Sequence, residues 1–320
     1  MTRRLVPRMI SYGSALAVAL LTNGGNARDL YEELYREIFA ELGGVDLPAP
    51  LAPPDPPVAA DIAPYFGRYE RASAQLDVLA GPDGPVLVPL ESSNELCELS
   101  LADGRVVSTA AGVGRQPHDA VQTAGGTIVV TNELGGGVVF VRDAAVVGSL
   151  PAGPVQPGGV AALDGYAAVA DVQGNGVWVY DGAARRLVAH GPVGAKLTHA
   201  VALSGDLAAF ADTDGGAVFI ERIDPQLAQV AKVDAPGKPY GLAYDAAHRR
   251  LYVTLTASNL MRLIDVSDAT KPRILGDVPT VQQPNSVAVD PRSGTVLVTG
   301  SAPGDASSLQ IVTPALLPGG

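Results

Sequence analysis

Two groups of polar side chains recur at regular spacing in this sequence and could bind a ligand. The first group follows the openings of a repeated motif and supplies two imidazoles, a carboxylate, a phenol and an amide: His118, Asp119, His199, Tyr240 and Asn285. Imidazole and carboxylate groups can ligate a metal ion, and all five types can hydrogen-bond a polar ligand. The simpler interpretation is that these residues are polar because they line a wet channel.

The second group stands at the ends of short apolar runs and consists of Asn132, Asp171 and Asp212. An Asp or Asn at the end of a strand commonly caps the following turn with its own side chain, which is the simpler interpretation. Side-chain oxygens also suit a divalent cation such as calcium, so a metal site on these residues is the alternative prediction. No other cofactor is predicted, and no catalytic residue is assigned.

A sequence repeat that occurs five times must position both groups of polar residues. Its openings, counted from Pro117, Pro157, Thr198, Pro239 and Pro284, are separated by steps of 40, 41, 41 and 45 residues. Short apolar runs separated by polar turns follow each opening. A period of about 40–45 residues with four short strands per unit is typical of a β-propeller. We therefore predict a mainly β fold in which the first group lies at the mouth of the central channel and the second forms a ring at the ends of the second strands.

The number of blades follows from the incomplete units at both ends of the repeat array. Val86–Thr109 supplies three strands of a further unit, whose first strand would be Ser73–Leu79 or come from elsewhere. The last repeat ends near Val312 without a clear fourth strand. Five repeats and one partial unit predict six blades, and a seven-bladed ring is the alternative.

The chain before the repeats is predicted to form a helix-bearing segment over residues 1–45 and a Pro-rich extended linker over 46–72, which leaves 73–320 for the propeller. An amphipathic helix is expected over Ala27–Leu42, because its apolar residues recur on one stripe. Leu16–Leu21 is either a buried strand or the apolar part of a signal peptide. The strand interpretation is compatible with a cytoplasmic protein, whereas a signal peptide predicts a location in the cell envelope or outside the cell.

Residues 10–85 resemble the C-terminal end of serine β-lactamase-like hydrolases of the penicillin-binding-protein type. The resemblance rests on Ala17–Gly25, the helix that follows, the Pro-rich stretch and Ile62–Glu70. It implies a late strand of that family's catalytic sheet, its final helix and the start of a small β domain. No catalytic residue carries over, because the sequence contains neither Ser-x-x-Lys nor Tyr-x-Asn, which the serine chemistry of that family needs.

The repeats over about residues 86–312 resemble YVTN-type β-propellers. Leu251–Thr254, Ile128–Asn132 and the Pro-x-x-Val-Ala openings carry this resemblance. That family includes surface-layer, quinoprotein-like and lactonase-like members, so the resemblance implies a fold and no single function.

The negative net charge of the chain argues against nucleic acid as a partner. The sequence has 33 acidic and 22 basic residues, a net charge of −11, whereas nucleic-acid binding requires clustered Lys and Arg. No apolar segment is long enough to cross a membrane. We therefore predict a non-catalytic binding or scaffold propeller whose partner at the channel mouth is a protein or a small polar ligand. The alternatives are a metal-dependent lactonase-like hydrolase, and an inactive remnant of a serine hydrolase fused to a propeller.

Overall fold

The computed structural model describes residues 8–11, 16–19, 37–38, 40–41, 67–71, 74–78, 86–100, 105–224, 226–291, 293–300 and 308–318. Contacts divide the chain into two compact units, Met1–Val58 and Ala59–Gly320. No helix among these residues is long and apolar enough to cross a membrane.

In the first unit, strand β1 (Arg8–Ser11) pairs antiparallel with β2 (Leu16–Ala19). Strand β2 falls within Leu16–Leu21, and the interpretation of that segment as part of a signal peptide stays a prediction. Residues 37, 38, 40 and 41 are helical and fall inside the predicted helix. The remainder of that helix, and most of the Pro-rich segment, lie outside the described residues.

The second unit contains a two-stranded hairpin, β3 (Gly67–Arg71) and β4 (Ala74–Val78), followed by six antiparallel sheets among its described residues. The first sheet has the three strands β5 (Val86–Leu90), β6 (Glu95–Leu99) and β7 (Val106–Ala111). The second sheet consists of β8 (Pro117–Gln122), β9 (Ile128–Asn132), β10 (Val138–Arg142) and β11 (Ala145–Leu150). The third consists of β12 (Pro157–Leu163), β13 (Tyr166–Asp171), β14 (Gly176–Asp181) and β15 (Arg186–Pro192).

The later sheets repeat this pattern. The fourth consists of β16 (Leu197–Ala202), β17 (Leu207–Asp212), β18 (Ala217–Arg222) and β19 (Ala228–Asp234). The fifth consists of β20 (Pro239–Asp245), β21 (Arg250–Leu255), β22 (Leu260–Asp265) and β23 (Arg273–Pro279). The sixth has three strands, β24 (Pro284–Val289), β25 (Val296–Gly300) and β26 (Ser308–Val312), before a 3₁₀ turn at Pro314–Leu316. Each repeat thus forms one sheet, and the predicted six-bladed β-propeller is confirmed.

Burial explains why the repeats look as they do in sequence. Every residue of β9 is buried, because a middle strand of a blade is covered by a neighbouring blade on both faces. The outermost strand β15 instead alternates between exposed and half-buried residues. Apolar side chains of adjacent sheets form shared clusters, in which alanines such as Ala168 and Ala208 allow close packing. This small-residue core fits a sequence with only 5% aromatic residues.

The hairpin β3–β4 lies between the two ends of the array. Strand β3 contacts β24 and β25 of the sixth sheet, and β4 contacts β5 of the first sheet. Strand β4 falls within Ser73–Leu79, the segment considered for a first strand. Strand β3 begins inside the segment that the sequence interpretation assigned to the linker. The ends of the ring are therefore bridged by a segment that precedes the repeats.

Candidate functional site

The five innermost strands from β8 to β24 begin at the same edge of the propeller, which we call the mouth face. A repeated hydrogen bond defines this edge. The amide N–H of the residue that follows the second strand donates to the carbonyl oxygen of the residue before the innermost strand. This bond runs from Glu133 to Gln116 at 2.9 Å, from Thr213 to Lys196 at 3.0 Å and from Thr256 to Lys238 at 3.1 Å. Side chains at these positions therefore come together around the mouth.

A β-bulge lies at the start of each innermost strand. In the second sheet Pro117 pairs with Asn132, whereas Ala120 pairs with Val130, which leaves one extra residue on β8. Bulges redirect side chains and are common beside functional sites. His118 and Asp119 lie within this bulge, so their directions depend on it.

The pairing corrects the sequence alignment of the third repeat. Leu197 pairs with Asp212 just as Pro117 pairs with Asn132, so the third innermost strand opens at Leu197 and not at Thr198. His199 therefore occupies the repeat position of Asp119, and the expectation that it is equivalent to His118 is wrong. In accordance with this shift, His199 is only 2% exposed, whereas His118 is half-buried.

Three of the five predicted ligand residues form a row of rings. The centroids of His118 and His199 are 6.5 Å apart in an edge-to-face arrangement. Those of His199 and Tyr240 are 4.4 Å apart at an angle of 56°. Asn285 is half-buried at the second position of β24, which is the repeat position of His118 in β8 and Tyr240 in β20. The rings come from the second, fourth and fifth blades, and so they line the centre of the propeller.

Asp119, the fifth predicted residue, joins two blades. Its carboxylate is 2% exposed and accepts the backbone N–H of Ala120 at 2.9 Å and that of Val160, on the next blade, at 2.9 Å. Its own N–H donates to Oγ1 of Thr131 at 3.0 Å. These bonds are structural, and a ligand role for Asp119 stays a prediction.

Asp171 and Asp212 of the second predicted group both accept three backbone N–H bonds. The donors to Asp171 are Val155, Gln156 and Gly174, at 3.0, 3.1 and 2.9 Å. The donors to Asp212 are Ala195, Lys196 and Gly215, at 3.0, 2.8 and 3.0 Å. Each carboxylate therefore fastens the loop before an innermost strand to the turn after the second strand. A metal role for these carboxylates, which stays a prediction, would compete with these bonds.

Asn132 holds the equivalent position but interacts differently. Its Oδ1 is buried and accepts no hydrogen bond from the described residues. The side chain lies against Gly114, which has φ +110° and whose Cβ, if present, would collide with the amide. Glycine is thus required there both by backbone conformation and by the approach of Asn132.

A cluster that sequence reasoning missed lies beside His118. Ligand atoms of Glu91, His118 and Glu133 are all within 4.8 Å of one another, and all three residues are half-buried. Glu91 directly follows β5 and Glu133 directly follows β9, so the two carboxylates occupy equivalent positions in neighbouring blades. Nε2 of Gln116 donates to Oε2 of Glu91 at 3.2 Å and to Oε2 of Glu133 at 3.1 Å. Nε2 of Gln156 donates to Oε1 of Glu133 at 2.9 Å.

The electrostatics of this cluster are unbalanced towards negative charge. Burial raises the pKa of Glu91, the neighbouring His118 opposes the rise, the carboxylate of Glu133 adds to it, and the hydrogen bond from Gln116 lowers the pKa again. The signal that could have revealed the cluster is the glutamate that follows the second strand in both of the first two units. Glu91 lies outside the five regular repeats, which concealed the correspondence.

A cavity of about 410 Å³ opens on the mouth face between the fifth and sixth blades. It is lined by amide, hydroxyl and ammonium groups together with one alanine: Lys238, Thr256, Ala257, Asn259, Gln282 and Gln283. The backbone N–H of Gln283 donates to Oδ1 of Asn259 at 2.8 Å, which fixes one wall. Lys238 pairs with Asp214 at 3.0 Å on the surface. The cavity therefore offers many neutral hydrogen-bonding groups and one cation.

Solved structures share this β-propeller-like fold. A chain in the crystal structure of the mitotic checkpoint complex superposes with a TM-score of 0.59 and 13% identity, over 75% of this chain and 72% of that one. A functionally unknown protein from Desulfotomaculum acetoxidans DSM 771 superposes with a TM-score of 0.58 and 15% identity, over 71% of this chain and 78% of that one. Identities this low show the fold alone.

The sequence comparisons concern a smaller part of the chain. A segment of 68 residues is 47% identical to penicillin-binding protein 4 of Amycolatopsis lactamdurans. It makes up 21% of this chain and 16% of that protein, so the chain matches about a sixth of that protein's length. The match fits the resemblance of residues 10–85 to penicillin-binding-protein-type hydrolases. No family model matches the chain.

Proposed function

We propose that this chain is a non-catalytic binding protein whose propeller holds a small polar ligand at the mouth face. The observation that carries the proposal is the cavity of about 410 Å³, which is lined by five residues with polar side chains and one alanine. Small-molecule sites commonly have volumes of about 300–1,000 Å³ and use a few placed polar groups for orientation. The row of His118, His199 and Tyr240 lies on the same mouth face, at the centre of the propeller.

The lining indicates the chemistry of the ligand. Amides donate and accept hydrogen bonds, so Asn259, Gln282 and Gln283 suit hydroxyl or amide groups. Lys238 adds a cation, which favours a ligand with an acceptor or a carboxylate near that end. We further propose that the repeats are of the YVTN type, which the Pro-x-x-Val-Ala openings support.

A ligand screen with matched variants tests this site. The purified full chain is screened by thermal shift against mono- and disaccharides, dicarboxylates and short peptides, and positive compounds are titrated by calorimetry. The double variant Lys238→Ala/Gln283→Ala should weaken binding at least tenfold. Lys271→Ala, which removes the same charge from an exposed turn at the opposite edge of the fifth blade, should leave it unchanged. A ligand that binds the double variant as tightly as the wild type refutes the cavity as its site.

A protein partner is the second candidate, and the likeness to a chain of the mitotic checkpoint complex favours it as an analogy of fold. Pull-down with the full chain and with the same two variants separates the candidates. A partner captured equally by both variants binds elsewhere on the propeller.

The hydrolase alternative is favoured by one observation, the cluster of Glu91, His118 and Glu133. A metal ion held there would activate water for attack on a lactone or ester. Hydrolysis of γ-butyrolactone and p-nitrophenyl acetate, measured with and without added Zn²⁺, tests this alternative. Turnover that is lost in Glu133→Gln supports the hydrolase alternative. Without metal-dependent turnover, the binding function remains the better supported proposal.

A further inference from the structure

We propose that Glu91, His118 and Glu133 bind one divalent transition-metal ion, for which Zn²⁺ is the natural probe. The site shares no residue with the predicted metal group of Asn132, Asp171 and Asp212 or with the lining of the cavity, and it lies on the first two blades. It therefore stands or fails independently of the proposed ligand cavity.

The first argument is the position of the ligand atoms. One oxygen of each carboxylate and one nitrogen of His118 lie within 4.8 Å of one another. Around a tetrahedral zinc ion, with bonds of about 2.0–2.2 Å, ligand atoms are about 3.5 Å apart. Closure by about 1 Å is within the reach of the side-chain torsions of two glutamates, without movement of the strands that carry them.

The second argument is that the two glutamates have no cationic partner, and one nitrogen of His118 no hydrogen-bond partner, among the described residues. Among the described residues, neither Glu91 nor Glu133 forms an ion pair with a Lys or Arg, and the side chain that bridges them is the neutral amide of Gln116. Nδ1 of His118 is buried and has no hydrogen-bond partner within the same residues. A cation would balance the two carboxylates, and an imidazole nitrogen can serve as its third ligand.

The third argument is the composition of the cluster. Ca²⁺ and Mg²⁺ prefer six or more oxygen ligands, whereas an imidazole with two carboxylates suits Zn²⁺ and the neighbouring transition metals. Three protein ligands leave a position for water or for a group of a bound molecule. The amide of Gln116 must then leave the space between the carboxylates or turn its carbonyl oxygen towards the ion.

Metal titration of the full chain tests the site. After removal of metal with EDTA and its exchange into chelator-free buffer, the chain is titrated with Zn²⁺ in competition with a colorimetric chelator. We expect one ion per chain, and an affinity at least tenfold weaker in both His118→Gln and Glu133→Gln. With Co²⁺, the intense visible absorption of a four-coordinate ion should appear in the wild type and be lost in both variants.

The matched control is His248→Gln. His248 also contacts a carboxylate, with Nδ1 2.7 Å from Oδ2 of Asp245, but no second carboxylate joins that pair among the described residues. This variant should keep the affinity and the Co²⁺ spectrum of the wild type. Thermal melts without metal show whether each variant is folded, and Glu91→Gln replaces any that is not. Absence of stoichiometric binding, or wild-type affinity in the cluster variants, overturns the proposal.

Discussion

Glu221 should make the propeller less stable as the pH rises. It is the fifth residue of β18, is 1% exposed, and pairs in the sheet with Ala208 on one side and Gln229 on the other. Its Oε1 has no hydrogen-bond partner among the described residues. Burial alone raises the pKa of Glu221 from its ordinary value of 4.5 to about 7. The folded protein therefore holds this carboxyl as the neutral acid at a pH where the unfolded chain has already released the proton.

The sign and the size follow from linkage between protonation and folding. Between about pH 4.5 and 7 the folded state binds more protons than the unfolded state, so the free energy of unfolding falls as pH rises. One pH unit within this window corresponds to about 1.4 kcal/mol, and the full difference is about 3 kcal/mol. This stability is fully present below pH 4.5 and is lost once the pH has passed about 7.

The test compares the wild type with Glu221→Gln, which keeps the shape of the side chain and cannot ionise. Urea denaturation at pH 4.5, 5.5, 6.5 and 7.5 gives the free energy of unfolding of each protein. As the pH rises from 4.5 to 7.5, the free energy of unfolding of the variant minus that of the wild type should increase by about 3 kcal/mol, because all other titrating groups are common to both proteins. Asp224→Asn, which removes an exposed carboxyl three residues further on, is measured alongside as the control for the loss of one acidic group. A curve for Glu221→Gln parallel to that of the wild type would refute the reasoning.

Three further predictions concern packing and turns. Gly159→Ala places a Cβ 2.7 Å from the backbone of the next blade and should cost about 1–3 kcal/mol in urea denaturation, whereas Gly165→Ala, with open space around it, should cost less than 1 kcal/mol. Asp171→Ala removes the acceptor of three backbone N–H groups and should lower the free energy of unfolding by about 2–4 kcal/mol; a loss below 1 kcal/mol would contradict the capping role. Trp178 is the single tryptophan of the sequence and stacks on His190 at 4.6 Å, so His190→Ala should change its fluorescence intensity without changing the far-ultraviolet circular dichroism.

The repeat period predicted the blades because each blade is a local structure. The apolar runs Tyr166–Ala170 and Val177–Tyr180 lie within β13 and β14, since short apolar runs and the polar turns between them are properties of neighbouring residues. The predicted opening of the third repeat at Thr198 was wrong because local spacing does not determine which residue pairs with the adjacent strand. Thr198 fits the spacing as well as Leu197 does, and only the pairing of Leu197 with Asp212 on the adjacent strand distinguishes them.

The candidate site was less accessible to sequence reasoning because it depends on neighbouring blades. Glu91 and Glu133 meet only because two consecutive repeats stand side by side, with their second strands ending at the same edge. The row from His118 to Tyr240 was anticipated from the rule that innermost strands line the channel, although the register of His199 was not. The hairpin β3–β4 carries no repeat signal, because it belongs to no complete unit and adjoins a Pro-rich stretch.

That hairpin has a consequence for the order of folding. Most contacts within a blade join residues fewer than about 30 positions apart, whereas β3 meets β24 across more than 200 positions. The entropy lost on closing a loop grows as about (3/2)RT ln n, so this contact costs about 3 kcal/mol more than the closure of a local hairpin. Blades should therefore form first and the circle last, as a slow final step. A nascent chain would expose the open edges of its first and last blades until β3 and β4 were in place, and chaperones would meet the protein in that interval.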